Sequence, residues 1–431
     1  MSSLNERMAA FLAELPLVDT HEHIVPEEER LAAAQDLFAW FPHYASSDLM
    51  SAGMPLAVLE EVRNPQLPRE ERWRKFAPFW QAARNTAYCR ALLIAARDLH
   101  GVTDINADTW QELSEKIAAS RRPGWYRYVM RERANIAVSL NDTDYISPRR
   151  SDPDLFAPVR RMDDFIAVHS RAELRQLERQ CDMAIHSLDD LVDAVGVATE
   201  RAVRAGYVAV KSALAYRRTL HYEKVTRHEA EEVFNRIPNY LDEQRDRMYP
   251  GISLAWREAK PLQDYIMHRV IRAAIDHGLP VQLHTGLQEG TGNLLANSHP
   301  GLLVNLLLEY PEARFDLFHA GYPYTSELGV LGKTFPNVYV DACWLHVISP
   351  AAARRTLHEW IETVPGHKIM AFGGDYRIVE GAYAHARLAR EIVGRVLTEK
   401  VEEGYLGEEE ALALARRMLH DNARELFRLP V

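Results

Sequence analysis

The feature that most constrains this chain is a recurring alternation. Short apolar runs rich in β-branched and aromatic residues are followed by long helical patterns, as βα units on a parallel sheet require. The runs are Pro16–His21, Asn135–Leu140, Phe156–Arg160, Tyr207–Lys211, Pro280–His284, Arg314–His319, Asn337–Val340 and Lys368–Phe372. Amphipathic helical patterns cover Gln263–His277, Gly301–Tyr310, Ala351–Glu362 and Tyr383–Leu397. Eight strands with intervening helices predict a (β/α)8 barrel, forming one domain over residues 1–431. Residues 24–134 exceed a minimal barrel and contain Trp40, Trp73, Trp80, Trp110 and Trp125. They read as a helical insertion after the first strand, on the face where barrel active sites sit. A smaller helical excursion, Thr219–Lys260, follows the fourth strand, and the helices after Gly404 are expected outside the barrel.

Charge and cysteine content exclude several classes of function. With 51 basic and 61 acidic residues the net charge is −10, so the surface repels phosphate backbones and no nucleic-acid partner is expected. Apolar stretches such as Ala91–Ala96 fall far short of the roughly 18 residues of a membrane span. The start, MSSLNERMAAFLAEL, has no long apolar region behind a basic end and does not read as a signal peptide. Cys89, Cys181 and Cys343 are scattered and odd in number, which excludes a disulfide framework. A cytoplasmic protein is expected.

The chemistry concentrates where strands end. In PLVDTHEHI, Asp19 precedes His21-x-His23. On an extended chain residues i and i+2 point to one side, about 6.7 Å apart, so both imidazoles can reach one cation. His284 follows PVQL, His319 follows FDLF, and Asp375 follows IMAFGG. A single histidine there would be an ordinary core residue, but four histidines and a carboxylate at strand ends point to a divalent metal. Zinc or manganese suits such donors. Lys211 ends the fourth strand, where a free ammonium is costly to bury. It either pairs with a carboxylate, holds substrate by its charge, or is N-carboxylated and bridges two metals.

Arg217, Arg218 and Arg377 lie just past strands, and guanidinium forks suit carboxylates, so an acidic small-molecule substrate is expected. Tyr216, Tyr322, Tyr324 and Trp344 can pack on a ligand or cap the barrel. Gln288 and Asn293 in TGLQEGTGN can hydrogen-bond. Asp341 reads as a loop cap. GVLGKT (Gly329–Thr334) has Glu327 where a phosphate loop needs glycine, and HEAEE ends in Glu232 where a zinc helix needs histidine. Neither is a site.

Asp-x-His-x-His after strand one, Lys after strand four, His after strands five and six, and Asp after strand eight resemble the amidohydrolase superfamily. Within it KSALAYR, QLHTG, HAGYPY and NVYVDACW resemble the amidohydrolase domain of the nodulin and fungal-developmental-regulator type, and the insertion is similar to that of uronate isomerases. The resemblance implies His21, His23, His284 and Asp375 as metal ligands, with Lys211 and His319 completing a second position. With one metal, His319 would instead polarise the substrate, and Asp375 would move the proton of a metal-activated water. It further implies a homo-oligomer holding one or two ions per chain. The reaction expected first is hydrolysis of an amide, lactone or similar bond in a carboxylate-bearing substrate. Uronate isomerisation or decarboxylation is the alternative, and a non-catalytic binding module a third.

Overall fold

A computed structural model describes residues 3–143, 146–147, 149–237 and 254–431. Eight parallel strands follow one another in the order β1 to β8, and the chain has the (β/α)8-barrel fold with a helical insertion after β1. The strands are β1 (Leu17–Glu22), β2 (Ile136–Asn141), β3 (Phe156–Arg161), β4 (Ala209–Ser212), β5 (Val281–His284), β6 (Phe315–Phe318), β7 (Val338–Asp341) and β8 (Ile369–Met370). Each overlaps an apolar run. β1, β2, β4, β5 and β6 are buried at every position, which explains why those runs are continuous instead of alternating. The eighth run shortens to two residues.

The fold divides into two compact units. The first comprises Met1–Ala157, Leu287–Asn293 and Val340–Val431. Here β1 lies on β2, with Val18 opposite Val138 and Asp19 opposite Ser139, and β7 lies on β8, with Asp341 opposite Met370. The insertion builds its own aromatic core around Phe38, Phe41, Phe76 and Trp80. Trp73 stacks on Trp110 at 5.2 Å, Phe76 on Trp80 at 5.7 Å, and Trp80 Nε1 donates to Ile105 O at 2.8 Å. The same core takes in Cys343, Trp344, Val347 and Tyr376, so the loops after β7 and β8 are packed by the insertion. Helix Ala87–His100 starts where Thr86 accepts from Cys89 N and ends at left-handed Gly101. Its Ala91, Ala95 and Ala96 are fully buried, giving a smooth face for close packing.

The second unit comprises Pro158–Gly286 and Leu294–Tyr339. Register runs Arg161 to Lys211, Lys211 to Gln282, and His284 to Phe318 across β3 to β6. Three of its helices start at capping boxes, Ser170 with Glu173, Ser187 with Asp190 and Thr226 with Glu229, each satisfying backbone donors that helix geometry leaves over. GVLGKT lies inside helix Thr325–Thr334, and HEAEE inside helix Arg227–Arg236 with His228 paired to Glu232 at 3.4 Å on the solvent side. Part of the excursion expected after the fourth strand, residues 238–253, lies outside the described residues.

Burial has a pH consequence in the first unit. The His100 ring lies 5.5 Å from Trp40 and 5.6 Å from Trp125, and burial pushes its pKa down to about 4. Native His100 therefore stays neutral where the unfolded chain, titrating at about 6.5, has gained a proton. Its contribution is present above that value and lost as pH falls from there towards 4. Between pH 7 and 5 the parent should lose about 2 kcal/mol more stability than His100→Gln, read from urea unfolding at both values. Equal losses would contradict the assignment.

Candidate functional site

In the first unit the end of β1 is clamped to the chain leaving β8. Asp375 N donates to His21 O at 2.7 Å, and His23 N to Tyr376 O at 2.9 Å. Gly374 N donates to Asp19 Oδ1 at 2.9 Å, and Tyr376 N to Glu22 Oε2 at 2.6 Å. The approach is close enough that a Cβ at Gly374 would stand 1.7 Å from Glu22 Oε1. A side chain there would have to displace the Glu22 carboxylate. Asp375 itself takes a left-handed φ of 58°, an uncommon conformation for a residue other than glycine. Beneath it, burial raises Asp19 to about 6, and burial together with Asp19 pushes Glu22 well above the usual carboxylate range.

The clamp brings three side chains together. His21 Nε2 lies 3.1 Å from His23 Nε2, and Asp375 Oδ1 stands 3.5 Å and 3.2 Å from the two. Ligands at about 2.0–2.2 Å from one tetrahedral ion stand about 3.3–3.6 Å apart; the trio's 3.1–3.5 Å lies close to that spacing, slightly contracted. The hydrogen bonding agrees. His23 Nδ1 lies 2.7 Å from Asp142 O, and a carbonyl can only accept, so Nδ1 carries the proton. Nε2 then offers a lone pair towards a carboxylate oxygen, two acceptors that a cation would reconcile. Asp142 is close as well: ligand atoms of His21, His23 and Asp142 lie within 4.8 Å of one another.

The insertion surrounds this trio with groups that motif reading missed. The His43 ring lies 6.4 Å from that of His23. Burial holds its pKa down to about 3, with Asp375 opposing, so the ring is neutral. Tyr44 stacks on Trp344 at 4.6 Å and on Tyr88 at 5.1 Å. Burial and the Asp375 charge push its hydroxyl well above the usual range, so it keeps its proton. Burial raises the Glu289 carboxyl, with the Arg377 charge opposing. Trp344, expected to touch substrate, is 1% exposed and forms a wall of the aromatic stack. Gln288 is buried, its N–H donating to Asn293 Oδ1 at 2.8 Å. Asp341 Oδ1 accepts from Cys343 N at 2.7 Å, a loop cap. The only chain-local signal for His43 and Tyr44 was the polar pair closing the aromatic run FAWFPHY.

The second unit holds the remaining expected residues. His319 Nε2 lies 2.9 Å from His284 Nδ1, with ring centres 4.3 Å apart. His319, Ala320 and Gly321 all have positive φ. This tight turn needs Gly286, where a Cβ would come within 2.4 Å of the Gly321 backbone. Lys211 is buried with Nζ 4.1 Å from the Phe318 ring centre. Tyr216 lies half-exposed, 4.7 Å from the His284 ring. Arg217 stands over Trp256 at 5.6 Å, and Tyr324 packs on His299 at 4.2 Å. Arg218, by contrast, is committed to structure: it is buried and paired with Asp264 and Gln263.

The family model "Amidohydrolase" matches residues 182–429. The fluG protein of Emericella nidulans is 29% identical over 228 residues, covering 52% of this chain but 26% of its own length. The chain thus spans about a quarter of that relative. A uronate isomerase of Nostoc punctiforme is 22% identical over 458 residues, covering 97% of this chain and 93% of its own. Among solved structures, glucuronate isomerase from Caulobacter crescentus superposes with a TM-score of 0.79 at 18% identity, covering 99% of this chain and 94% of that one; it shares the fold. These matches correct the expected reaction. Hydrolysis was the first expectation, whereas the relatives that match over nearly the whole chain are isomerases. The match over more than half of its length makes this chain a member of the amidohydrolase family.

Proposed function

We propose that the chain is a metal-dependent isomerase of a uronate-type sugar acid, interconverting its open-chain aldose and ketose forms. The observation that carries this reading is the near-complete alignment with uronate isomerases, 97–98% of this chain and 93–95% of theirs. His21, His23 and Asp375 would hold the ion, and their nitrogen and oxygen donors suit zinc or manganese. A bound ion would supply Lewis-acid polarisation of the substrate oxygens at the reacting carbons.

Isomerisation removes a proton from C2, returns one to C1, and moves another between O2 and O1. Asp375 is the carboxylate suited to carry the carbon proton. His43, neutral through burial, can accept at one nitrogen and donate at the other, which suits the transfer between the two oxygens. Tyr44 retains its proton and can donate a hydrogen bond to whichever oxygen carries more charge. Arg377 offers a guanidinium fork to the substrate carboxylate.

His23→Ala and Asp375→Ala proteins with native circular dichroism should retain under about a fifth of the parent's bound ion, because each removes one of three converging donors. Elemental mass spectrometry after loading with zinc or manganese reads this directly; undiminished binding would refute the ligand assignment. The same assay on His284→Ala, Lys211→Ala and His319→Ala tests the ligand roles that the family resemblance implies for them. For the reaction, metal-loaded protein with D-glucuronate or D-galacturonate in heavy water should yield the ketose with deuterium at C1 by proton NMR. Release of product from amides or lactones, with every uronate unchanged, would count against the isomerase.

A further inference from the structure

In the first unit Asp375 is held from a second side. The peptide group that joins Gly374 to Asp375 gives its N–H to His21 O at 2.7 Å, and its carbonyl oxygen lies 3.0 Å from His385 Nδ1. His385 sits on helix Val379–Glu402. Its Nε2 lies 3.1 Å from Nδ1 of His346, in the short helix Leu345–Ile348 that follows β7. Both rings are fully buried. His346 Nε2 ends this chain of contacts, sealed from solvent without a partner among the described residues. The His385 ring also packs edge to face on both flanks of the loop, 5.3 Å from Phe372 and 6.3 Å from Tyr376.

The proton positions follow from these distances. A carbonyl only accepts, so His385 Nδ1 carries a proton. Burial keeps both imidazoles neutral, holding His385 at about 4 and His346 well below its usual value, so each ring has one N–H. His385 Nε2 is therefore bare and accepts from His346 Nδ1, and His346 Nε2 is bare in turn. In the other tautomer of His385 a lone pair would face the Gly374 oxygen and repel it. His346 selects between the two, because only a bare Nε2 can take its N–H. The consequence falls on Asp375, whose left-handed φ of 58° persists only where the surroundings over-determine it. Any turn of the 374–375 peptide would carry the Asp375 carboxylate away from His21 and His23.

We propose that His385 and His346 are positioning residues for Asp375. His385 pins the carbonyl of the peptide whose N–H is pinned by His21, and His346 fixes the tautomer in which His385 can do so. The inference rests on the reading of His21, His23 and Asp375 as ligands of one ion. Both histidines act through the peptide, so they set the aim of the carboxylate, towards the ion and, in the isomerase reading, towards the substrate's C2.

Release of zinc from the loaded protein to excess chelator tests this without substrate. His385→Leu should release the ion at least about tenfold faster than the parent. His385→Asn, whose side-chain amide can place an N–H where that of Nδ1 stands, should release it within about threefold of the parent's rate. His346→Leu should fall between parent and His385→Leu, and the nitrogen NMR signals of the His385 ring should move from a protonated Nδ1 towards an average of both tautomers. A smaller acceleration in His385→Leu, or His385→Asn releasing as fast as His385→Leu, would overturn the proposal; a purely structural contribution would lower Tm and leave zinc release unchanged. Should His385→Leu fail to fold, His346→Leu decides: release at the parent's rate with an unchanged His385 tautomer overturns it. The outcome is separable from the readings beneath it. A parent that binds no zinc or manganese removes the ligand assignment together with this inference. The expected release rates without conversion of any uronate would remove the isomerase and leave the positioning role. Uronate conversion with unaltered release in His385→Leu would do the reverse.

Discussion

The clamp between β1 and the chain leaving β8 is the constraint on which the proposed centre depends. Two backbone hydrogen bonds, Asp375 N to His21 O and His23 N to Tyr376 O, fix the ends of the two segments against each other. Two buried carboxylates then take the neighbouring amides, Asp19 from Gly374 and Glu22 from Tyr376. A buried amide without an acceptor costs about 1–3 kcal/mol, so each carboxylate is tied to this loop path. At 374 a Cβ would have to displace the Glu22 carboxylate, and the next residue, Asp375, takes a left-handed conformation. With the backbone so determined, the His21, His23 and Asp375 donors have little freedom except to meet.

The insertion extends that rigidity outward. Its aromatic core buries Trp80, Phe76, Phe41 and Tyr44 almost completely and takes in Trp344 and Tyr376 from the loops after β7 and β8. A close-packed core holds its side chains in single rotamers. Tyr44 and His43 are thereby delivered beside Asp375 on a stiff support, the condition under which proton-transfer groups are useful. Trp73, Trp80 and Trp110 of residues 24–134 are used in this internal packing.

What was legible in the sequence was what a short stretch of chain expresses by itself. β1 could be read from PLVDTHEHI because an extended run ending in His-x-His carries its geometry locally, and the same holds for the runs before His284 and His319. Arg217 and Arg218 could not be separated, because the difference lies in Asp264, which is 46 residues from Arg218 in sequence and takes it into a buried ion pair. His43 and Glu289 carry little local signal for a related reason: their partners, His23 and Ser47, lie in other segments, and no short stretch of chain records that meeting. The β8 run looked longer than its two residues because the apolar stretch continues into Ala371 and Phe372, which stay buried while leaving the ladder. The reaction class was not legible at all from the ligand pattern, since one metal-binding barrel serves hydrolases and isomerases alike.

The central claim is that His21, His23 and Asp375 converge on one ion. X-ray absorption at the zinc or manganese edge of the loaded protein addresses it most directly. The account predicts a shell containing two imidazole nitrogens and carboxylate oxygen at about 2.0–2.2 Å. A shell of water oxygens without imidazole scattering, or one with sulfur at about 2.3 Å, would contradict it.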